Sequence, residues 1–232
     1  MKLLAIDTST KIGSLALAED RQLVAETGMV ISKGHARFLL PAIRSMLDHT
    51  GWTIDQIGLI ACAVGPGSFA GLRIGISTAK GLAFATGADT VGVNTLEAMA
   101  WPYSFSSMQV CTILDAKKRQ VYAALFSSDG QGNLVRKTTD LAMDPGEFLE
   151  NQISEPTLFV GDGIEKYGDF IRSRIGNLAF FAPHQMCYHR GGAIASLGLS
   201  VAERGTADRE LLPNYVRPPD AVEPKTRAEK GA

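Results

Sequence analysis

LLAIDTSTKIGSLAL, residues 3–17, governs the reading of the whole chain, because it recurs as CTILDAKKRQVYAAL at residues 111–125. With Asp115 set under Asp7, each copy is an apolar run that closes on an aspartate, a polar interruption, and a second apolar run. Short apolar runs bounded by turn formers read as strands, so each copy predicts a hairpin whose first strand ends on a carboxylate. The punctuation that follows is shared as well. A turn at Glu19-Asp20 leads to a third strand at 22–26, and a turn at Asp129-Gly130 leads to a third strand near 134–137.

Downstream of each hairpin the plan continues. HARFLLPAIRSMLDHTG, residues 35–51, places Phe38, Leu39, Ile43, Met46 and Leu47 at helical spacing, with Gly51 as the stop and Pro41 predicting a local bend. The unbroken apolar run IGLIACAV, 57–64, reads as a parallel strand covered on both faces. In the second half come a short helix after Pro145, a strand in TLFVGDG (157–163), a helix, the apolar stretch LAFFAP (178–183) and a small-residue helix AIASLGLSVAERG (193–205). Two copies of β-β-β-α-β-α predict an α/β chain of two ribonuclease-H-like halves related by internal duplication, the pattern of the actin/hexokinase/heat-shock ATPase superfold. The two halves would face each other across a cleft. Fifteen aligned residues are a short match, so the order of elements carries this reading. The expected division is 1–104 for the first half, 105–225 for the second, and a disordered tail at 226–232, where the composition turns polar.

The chain has 232 residues and a formal charge of −1. That length buries enough apolar surface for an independent core. The charge balance, with no dense Lys/Arg run, argues against a protein that grips nucleic acid by itself, since phosphate neutralisation supplies most of that affinity. Cys62, Cys111 and Cys187 form no Cys-x-x-Cys pair and read as small buried hydrophobes of a reduced compartment. The apolar run at the start is broken by Asp7, too soon for a signal-peptide core, and no window approaches the length of a membrane span, so a soluble cytoplasmic protein is expected.

Asp7, Ser9 and Asp115 would stand at the carboxyl ends of the first strands, where open α/β sheets place ligands. The same residues are common turn formers, which is the competing reading. Gly65, Gly67 and Ser68 follow the buried strand directly, and Ser68 is placed to cap the helix beginning near Phe69, an anion site in outline. Gly161 and Gly163 are the fainter equivalent in the second half. The turn is neither a Walker loop nor a dinucleotide fingerprint. The helix after it is crowded with Gly71, Gly75, Ser77, Ala79, Gly81, Ala83 and Ala85, although each glycine costs about 1 kcal/mol of helix propensity relative to alanine. Either the chain packs closely on this helix or part of its surface docks a second protein. Arg73, Lys80 and Phe84 fall along one further stripe, readable as a partner surface or as a solvated edge.

Taken together, LLAIDTST, GHARFLLPAI, GPGSFAGLRIGISTAKGLA, GVNTLEAMA, ILDAKKRQVYAALF and PNYVRPPDA resemble the TsaB (YeaZ) family of bacterial tRNA threonylcarbamoyladenosine biosynthesis proteins, and the likeness runs from Met1 to about Lys225. Ala70 departs from it, standing where that family usually has threonine. The resemblance implies a paralogue of TsaD, the transferase that places threonylcarbamoyl on the adenosine 3′ of the tRNA anticodon. In the transferase two histidines four apart on one helix grip a metal ion. The matching positions here are Thr95 and Met99, a poor site for iron or zinc, and no two of the four histidines are spaced i,i+4 to replace them.

The resemblance therefore implies a non-catalytic subunit with no metal, entering a cleft with its Thr95–Met99 helix but docking through first-half helices. Phe38, Leu39, Arg44, Leu72, Arg73, Ile76, Ala79, Lys80 and Ala83 are its candidate contacts with TsaD. It further implies a ternary complex with the ATPase TsaE, tRNA contact only through the complex, and a homodimer when the chain is alone, since paralogues sharing a fold form pseudo-symmetric interfaces. No cofactor is required in this reading, and weak ATP or ADP binding in the cleft is compatible with it. The alternatives are a small-molecule kinase or ATPase of the same superfold using Asp7 and Asp115, a metallopeptidase, and an interaction module without a ligand. Pro213, Tyr215 and Arg217 match the family's closing segment and predict an ordered strap.

Overall fold

In the computed structural model, which describes residues 1–31, 34–186, 191–205 and 210–217, the repeated segment forms two hairpins, each at the centre of its own sheet. The first half runs β1 (Lys2–Asp7), β2 (Ile12–Glu19), β3 (Gln22–Val30), α1 (His35–Thr50), β4 (Ile57–Gly65), α2 (Phe69–Thr86), β5 (Asp89–Asn94) and α3 (Thr95–Ala100). The second runs β6 (Gln109–Lys117), β7 (Gln120–Ser128), β8 (Leu134–Arg136), β9 (Leu141–Met143), α4 (Pro145–Gln152), β10 (Thr157–Val160), α5 (Gly163–Ile175), β11 (Ala179–Phe181) and α6 (Gly191–Glu203). Sheet order is β3-β2-β1-β4-β5 in one half and β11-β10-β6-β7-β8 in the other, the same order once corresponding strands are matched. β9, which the sequence reading does not contain, pairs with β7. α1 runs unbroken through Pro41 and ends on Gly51 in the left-handed conformation, and β3 extends past its expected end to Val30.

Both sheets are covered on both faces, which explains why β1, β4 and β6 are continuous apolar runs rather than alternating ones. α1 and α2 close one face of the first sheet around Leu4, Ile6, Leu15, Ile60 and Ile76. Its other face is closed by α6, from the far end of the chain: Ile194 and Leu197 pack with Leu3, Ala61 and Val91. α6 comes close because it carries glycine there. Gly191 lies against the Leu15 backbone, its N–H donating to Ser14 Oγ at 2.7 Å, and Gly198 faces Ala61 with no room for a side chain. In return α3 reaches the second sheet, where Leu96, Met99 and Ala100 pack with Val110, Leu114, Phe126 and Val160, while its Ala98 stays in the core of the first. The terminal helix of the second half thus covers the first sheet, α3 lies between the two sheets, and the two halves are joined through their cores.

Cys62 and Cys111 are buried core side chains. Burial pushes both thiols well above their ordinary range, and the Asp7 charge adds to it at Cys62. Cys187, His189 and the tail at 226–232 lie outside the described residues. No helix among the described residues is long and apolar enough to cross a membrane.

Candidate functional site

Between the halves lies a cleft of about 630 Å³. One wall is the β1–β2 connection and the start of α2, the other is the end of β6 with Asp162, and Tyr215 and Arg217 of the closing strap line it as well. Of the residues expected there, Ser9, Gly67, Ser68 and Asp115 line the cleft. Asp7, Gly65, Gly161 and Gly163 do not, and each is corrected by what it packs against. Asp7 is fully buried behind the loop, one carboxylate oxygen accepting from Ser9 N–H at 2.8 Å. Gly65 (φ 118°) lies under the strap, where a Cβ would come within 2.7 Å of the Asn214 carbonyl oxygen. Gly161 (φ 119°) and Gly163 press on the Ile113 carbonyl. These are close backbone approaches that only glycine permits.

Ser68 caps α2 as anticipated, accepting from Gly71 N–H at 3.3 Å while its own N–H donates to the Ser9 carbonyl at 2.6 Å. Gly67 makes that approach possible, since a side chain there would collide with Ser9. Ser9 is 1% exposed and its Oγ has no hydrogen-bond partner among the described residues, a condition that costs about 1–3 kcal/mol for a buried hydroxyl. Across the cleft, Asp115 is held by Lys117 Nζ at 3.0 Å and Lys166 Nζ at 3.1 Å, one on each carboxylate oxygen. Partial burial raises its pKa, but the hydrogen bonds from Lys117 side chain and backbone and from Lys166 outweigh it, so the carboxyl lies below its ordinary value. Lys11 reaches from the first half to Glu165 of the second at 2.6 Å.

The donor set does not fit a divalent ion. Both Asp115 oxygens are taken by lysines, and no group of three His, Cys, Asp or Glu side chains among the described residues is placed to hold one. The helix with Thr95 and Met99 does not enter the cleft. Thr95 is 0% and Met99 2% exposed, and Met99 is packed in the core of the second sheet with its methyl facing Gly161. A thioether in a close-packed apolar cluster is a filler there, which corrects the expected placement. Asn94 caps α3 by accepting from Glu97 N–H at 3.0 Å, and Glu97 pairs with Arg136.

The docking candidates divide by burial. Leu39, Leu72, Ile76 and Ala79 belong to the chain's own core under α1 and α2, so they are corrected from partner contacts to packing residues. Arg44, Arg73 and Lys80 are exposed, Ala83 is half-buried, and the Phe38 side chain lies outside the described residues. Gly71 and Gly75 serve internal packing, against the Thr8 backbone and hydroxyl, while Gly81 faces open space. Phe84, two turns beyond Ser77, is 94% exposed. Arg73 lies 4.0 Å over the Phe69 ring and donates to Tyr215 Oη at 3.1 Å, and Tyr215 stacks on Phe69 with centroids 5.1 Å apart. The strap is therefore ordered through Arg217, which donates to Gln120 at 2.9 Å.

One residue that no motif flagged ties these parts together. Asp140, between β8 and β9, accepts from Asn94 of the first half at 2.5 Å, from Asn214 of the strap at 2.7 Å, and from Arg136 at 2.7 Å. It lies in a short polar stretch with no periodicity, so only the tertiary fold reveals it.

Two duplicated ribonuclease-H-like halves, joined through α3 and α6 and with a cleft between the ends of their first strands, define an actin-like ATPase-superfold protein. The activator of the 2-hydroxyisocaproyl-CoA dehydratase from Clostridium difficile, solved with bound ADPNP, shares this fold at a TM-score of 0.50 and 11% identity over 89% of this chain and 97% of its own. A closer solved structure is YeaZ from Pseudomonas aeruginosa, with a TM-score of 0.77 and 27% identity over 92% of this chain and 99% of its own. The family model of TsaD, the tRNA N6-adenosine threonylcarbamoyltransferase, matches residues 17–220. The tRNA threonylcarbamoyladenosine biosynthesis protein TsaB of Bacillus subtilis is 30% identical over 94% of each chain. The chain belongs to the TsaB/YeaZ family.

Proposed function

We propose that this chain is a non-catalytic subunit in the formation of N6-threonylcarbamoyladenosine in tRNA, docking a TsaD-type transferase through the outer face of α1 and α2. The exposed stripe of α2 carries the reading: Arg73, Ser77, Lys80, Gly81 and Phe84 follow helical spacing, with Phe84 94% exposed and Gly81 open to close approach. Leu40 and Arg44 of α1 are exposed beside it. An isolated aromatic on a small-residue helix gains most when a partner covers it. The burial of Thr95 and Met99 supports a subunit that leaves the chemistry to its partner, and a formal charge of −1 supports contact with tRNA only through the complex. In this reading a TsaE-type ATPase completes a ternary complex in the cytoplasm, the chain pairs with itself through the same face when alone, and no cofactor is required.

The test is co-purification with a TsaD-type transferase. Ile76→Glu and Ala79→Glu would report folding, because both side chains are core. Phe84→Asp is the informative variant, with Phe105→Asp as control, an exposed aromatic (81%) away from α1 and α2. Phe84→Asp is expected to weaken association at least tenfold and to leave the melting temperature unchanged, while Phe105→Asp does neither. Unchanged association in the folded Phe84 variant, or loss with Phe105→Asp alone, overturns the docking face. Light scattering on the isolated chain should show a dimer that Phe84→Asp dissociates.

A further inference from the structure

We infer that Arg73 is a pre-set anchor for a carboxylate of an acidic protein surface, held in position by the closing strap. The inference rests on the docking reading above and names the chemistry of the surface that α1 and α2 meet. Between them the two helices carry four cations, Arg37, Arg44, Arg73 and Lys80, all exposed, and one carboxylate, Asp48, which pairs with Arg44 at 3.8 Å. The face is therefore basic on a chain whose formal charge is −1, and a negative surface complements it. Exposed Leu40, Gly81 and Phe84 are interspersed with these charges along the helices. Cations set among apolar and small side chains suit a protein surface, whereas a nucleic-acid backbone is gripped by denser basic runs.

Arg73 differs from the other three in being held. It stands one turn after Phe69 with its guanidinium 4.0 Å over that ring, and its Nε donates to Tyr215 Oη at 3.1 Å. Tyr215 stacks on the same ring, with centroids 5.1 Å apart. The strap that carries Tyr215 is fixed at three further points. Leu211 is buried in the core, Asn214 binds the Val64 carbonyl and Asp140, each at 2.7 Å, and Arg217 donates to Gln120 at 2.9 Å. Among the described residues the two terminal amino groups of Arg73 make no hydrogen bond. With Nε taken by the tyrosine, they form the open edge of the guanidinium, and their parallel N–H donors match the two oxygens of a carboxylate. An unrestrained arginine loses rotamer freedom on docking, but this one has lost it on folding, so a partner meets a donor pair already oriented. Tyr215 is thus a positioning residue, and Arg73 makes the contact.

The test measures association with a TsaD-type transferase calorimetrically at about 50 and 500 mM NaCl, with the folding of every variant checked by thermal melting. Association is expected to weaken about tenfold over that range, and about tenfold in Arg73→Ala at the lower salt. Arg73→Lys keeps the charge but not the fork and should stay about fivefold weak. Tyr215→Phe keeps the ring stack and loses only the hydroxyl. It should cost about threefold in the wild type and nothing in the Arg73→Ala background, because Tyr215 acts through Arg73. Phe84→Asp separates this inference from the docking reading. If that variant breaks association while Arg73→Ala and salt leave it intact, the docking face stands and the carboxylate anchor falls. Full rescue by Arg73→Lys, or an equal loss from Tyr215→Phe in both backgrounds, also overturns the anchor. So does binding of tRNA to the isolated chain that Arg73→Ala abolishes while transferase association is kept, which would assign the face to nucleic acid.

Discussion

Between β1 and β2 the first half has an open connection, Thr8 to Lys11, laid against the start of α2, whereas between β6 and β7 the second half has only Lys118 and Arg119. That tight turn requires left-handed backbone, and Lys117, Lys118 and Arg119 adopt φ of 62°, 48° and 60° in succession. The shorter connection turns Lys117 onto Asp115, filling with cations the position where the first half presents Ser9. The helices diverge in the same sense. α1 and α2 run sixteen and eighteen residues and leave Leu40 and Phe84 bare, while α4 and α5 run eight and thirteen. One ancestral plan has thus become an outward-facing half that offers a loop and a helix pair, and a shorter half that closes the cleft with charge.

The largest effect that would sharpen this contrast comes from glycine. Gly71 of α2 abuts the Thr8 carbonyl, so Gly71→Ala forces the loop away from the helix start, whereas Gly168 of α5 meets only side chains, Ile164 at 3.4 Å and Phe181 at 3.9 Å. Gly71→Ala should lose about 3 kcal/mol in urea denaturation, and Gly168→Ala should be neutral or gain up to about 1 kcal/mol from helix propensity. Equal responses would mean that the two helices meet their sheets alike. Next, Asp140→Ala removes the acceptor shared by Asn94, Asn214 and Arg136 and should cost about 2 kcal/mol. Faster limited proteolysis around the strap at 210–217 should accompany it, because Asn214 loses one of its two anchors, keeping the N–H to Val64 carbonyl bond.

Why some of this was readable from sequence and some was not follows from the range of the forces involved. The central strands β1, β4 and β6, the duplication and the Ser68 cap are local, set by apolar runs and turn residues within a few positions, and these appear where the spacing puts them. The placement of α3 between the sheets and of α6 on the first sheet has no local signal, because an apolar helix fits either sheet. Leu72, Ile76, Ala79 and Ala83 repeat at the spacing of a single stripe, and such a stripe belongs first to the chain's own core. A family likeness that marked the whole helix as docking surface obscured that division. Thr95 and Met99 share one helix, as the resemblance implies, but which layer that helix enters depends on tertiary packing.

A smaller effect tests the outward half directly. Gly81 has nothing within contact of a would-be side chain, so Gly81→Ala should stabilise the isolated chain by about 1 kcal/mol. If a partner helix approaches closely there, the same substitution weakens co-purification with the transferase, so stability and association move in opposite directions. Both rising together would place the partner elsewhere.

The smallest expected effect concerns the charge that closes the second half. Asp115 has its folded pKa lowered below the ordinary 3.8, so the stability it contributes is fully present above that value and is lost as pH falls through the folded pKa. Lys117 and Lys166 are 80% and 49% exposed, which screens both pairs and keeps the contribution below about 1 kcal/mol. Asp115→Asn should therefore be slightly less stable than wild type in urea at pH 7, with the gap closing below about pH 4 and diminishing at high salt. The first-half aspartate offers the contrast. Asp7 is fully buried and accepts from a backbone N–H, so Asp7→Asn would act on packing and that hydrogen bond, with little sensitivity to salt. A salt-insensitive Asp115→Asn, or a gap that widens in acid, would show that the lysines do not hold that carboxylate, and the closed half would then be closed by something other than charge.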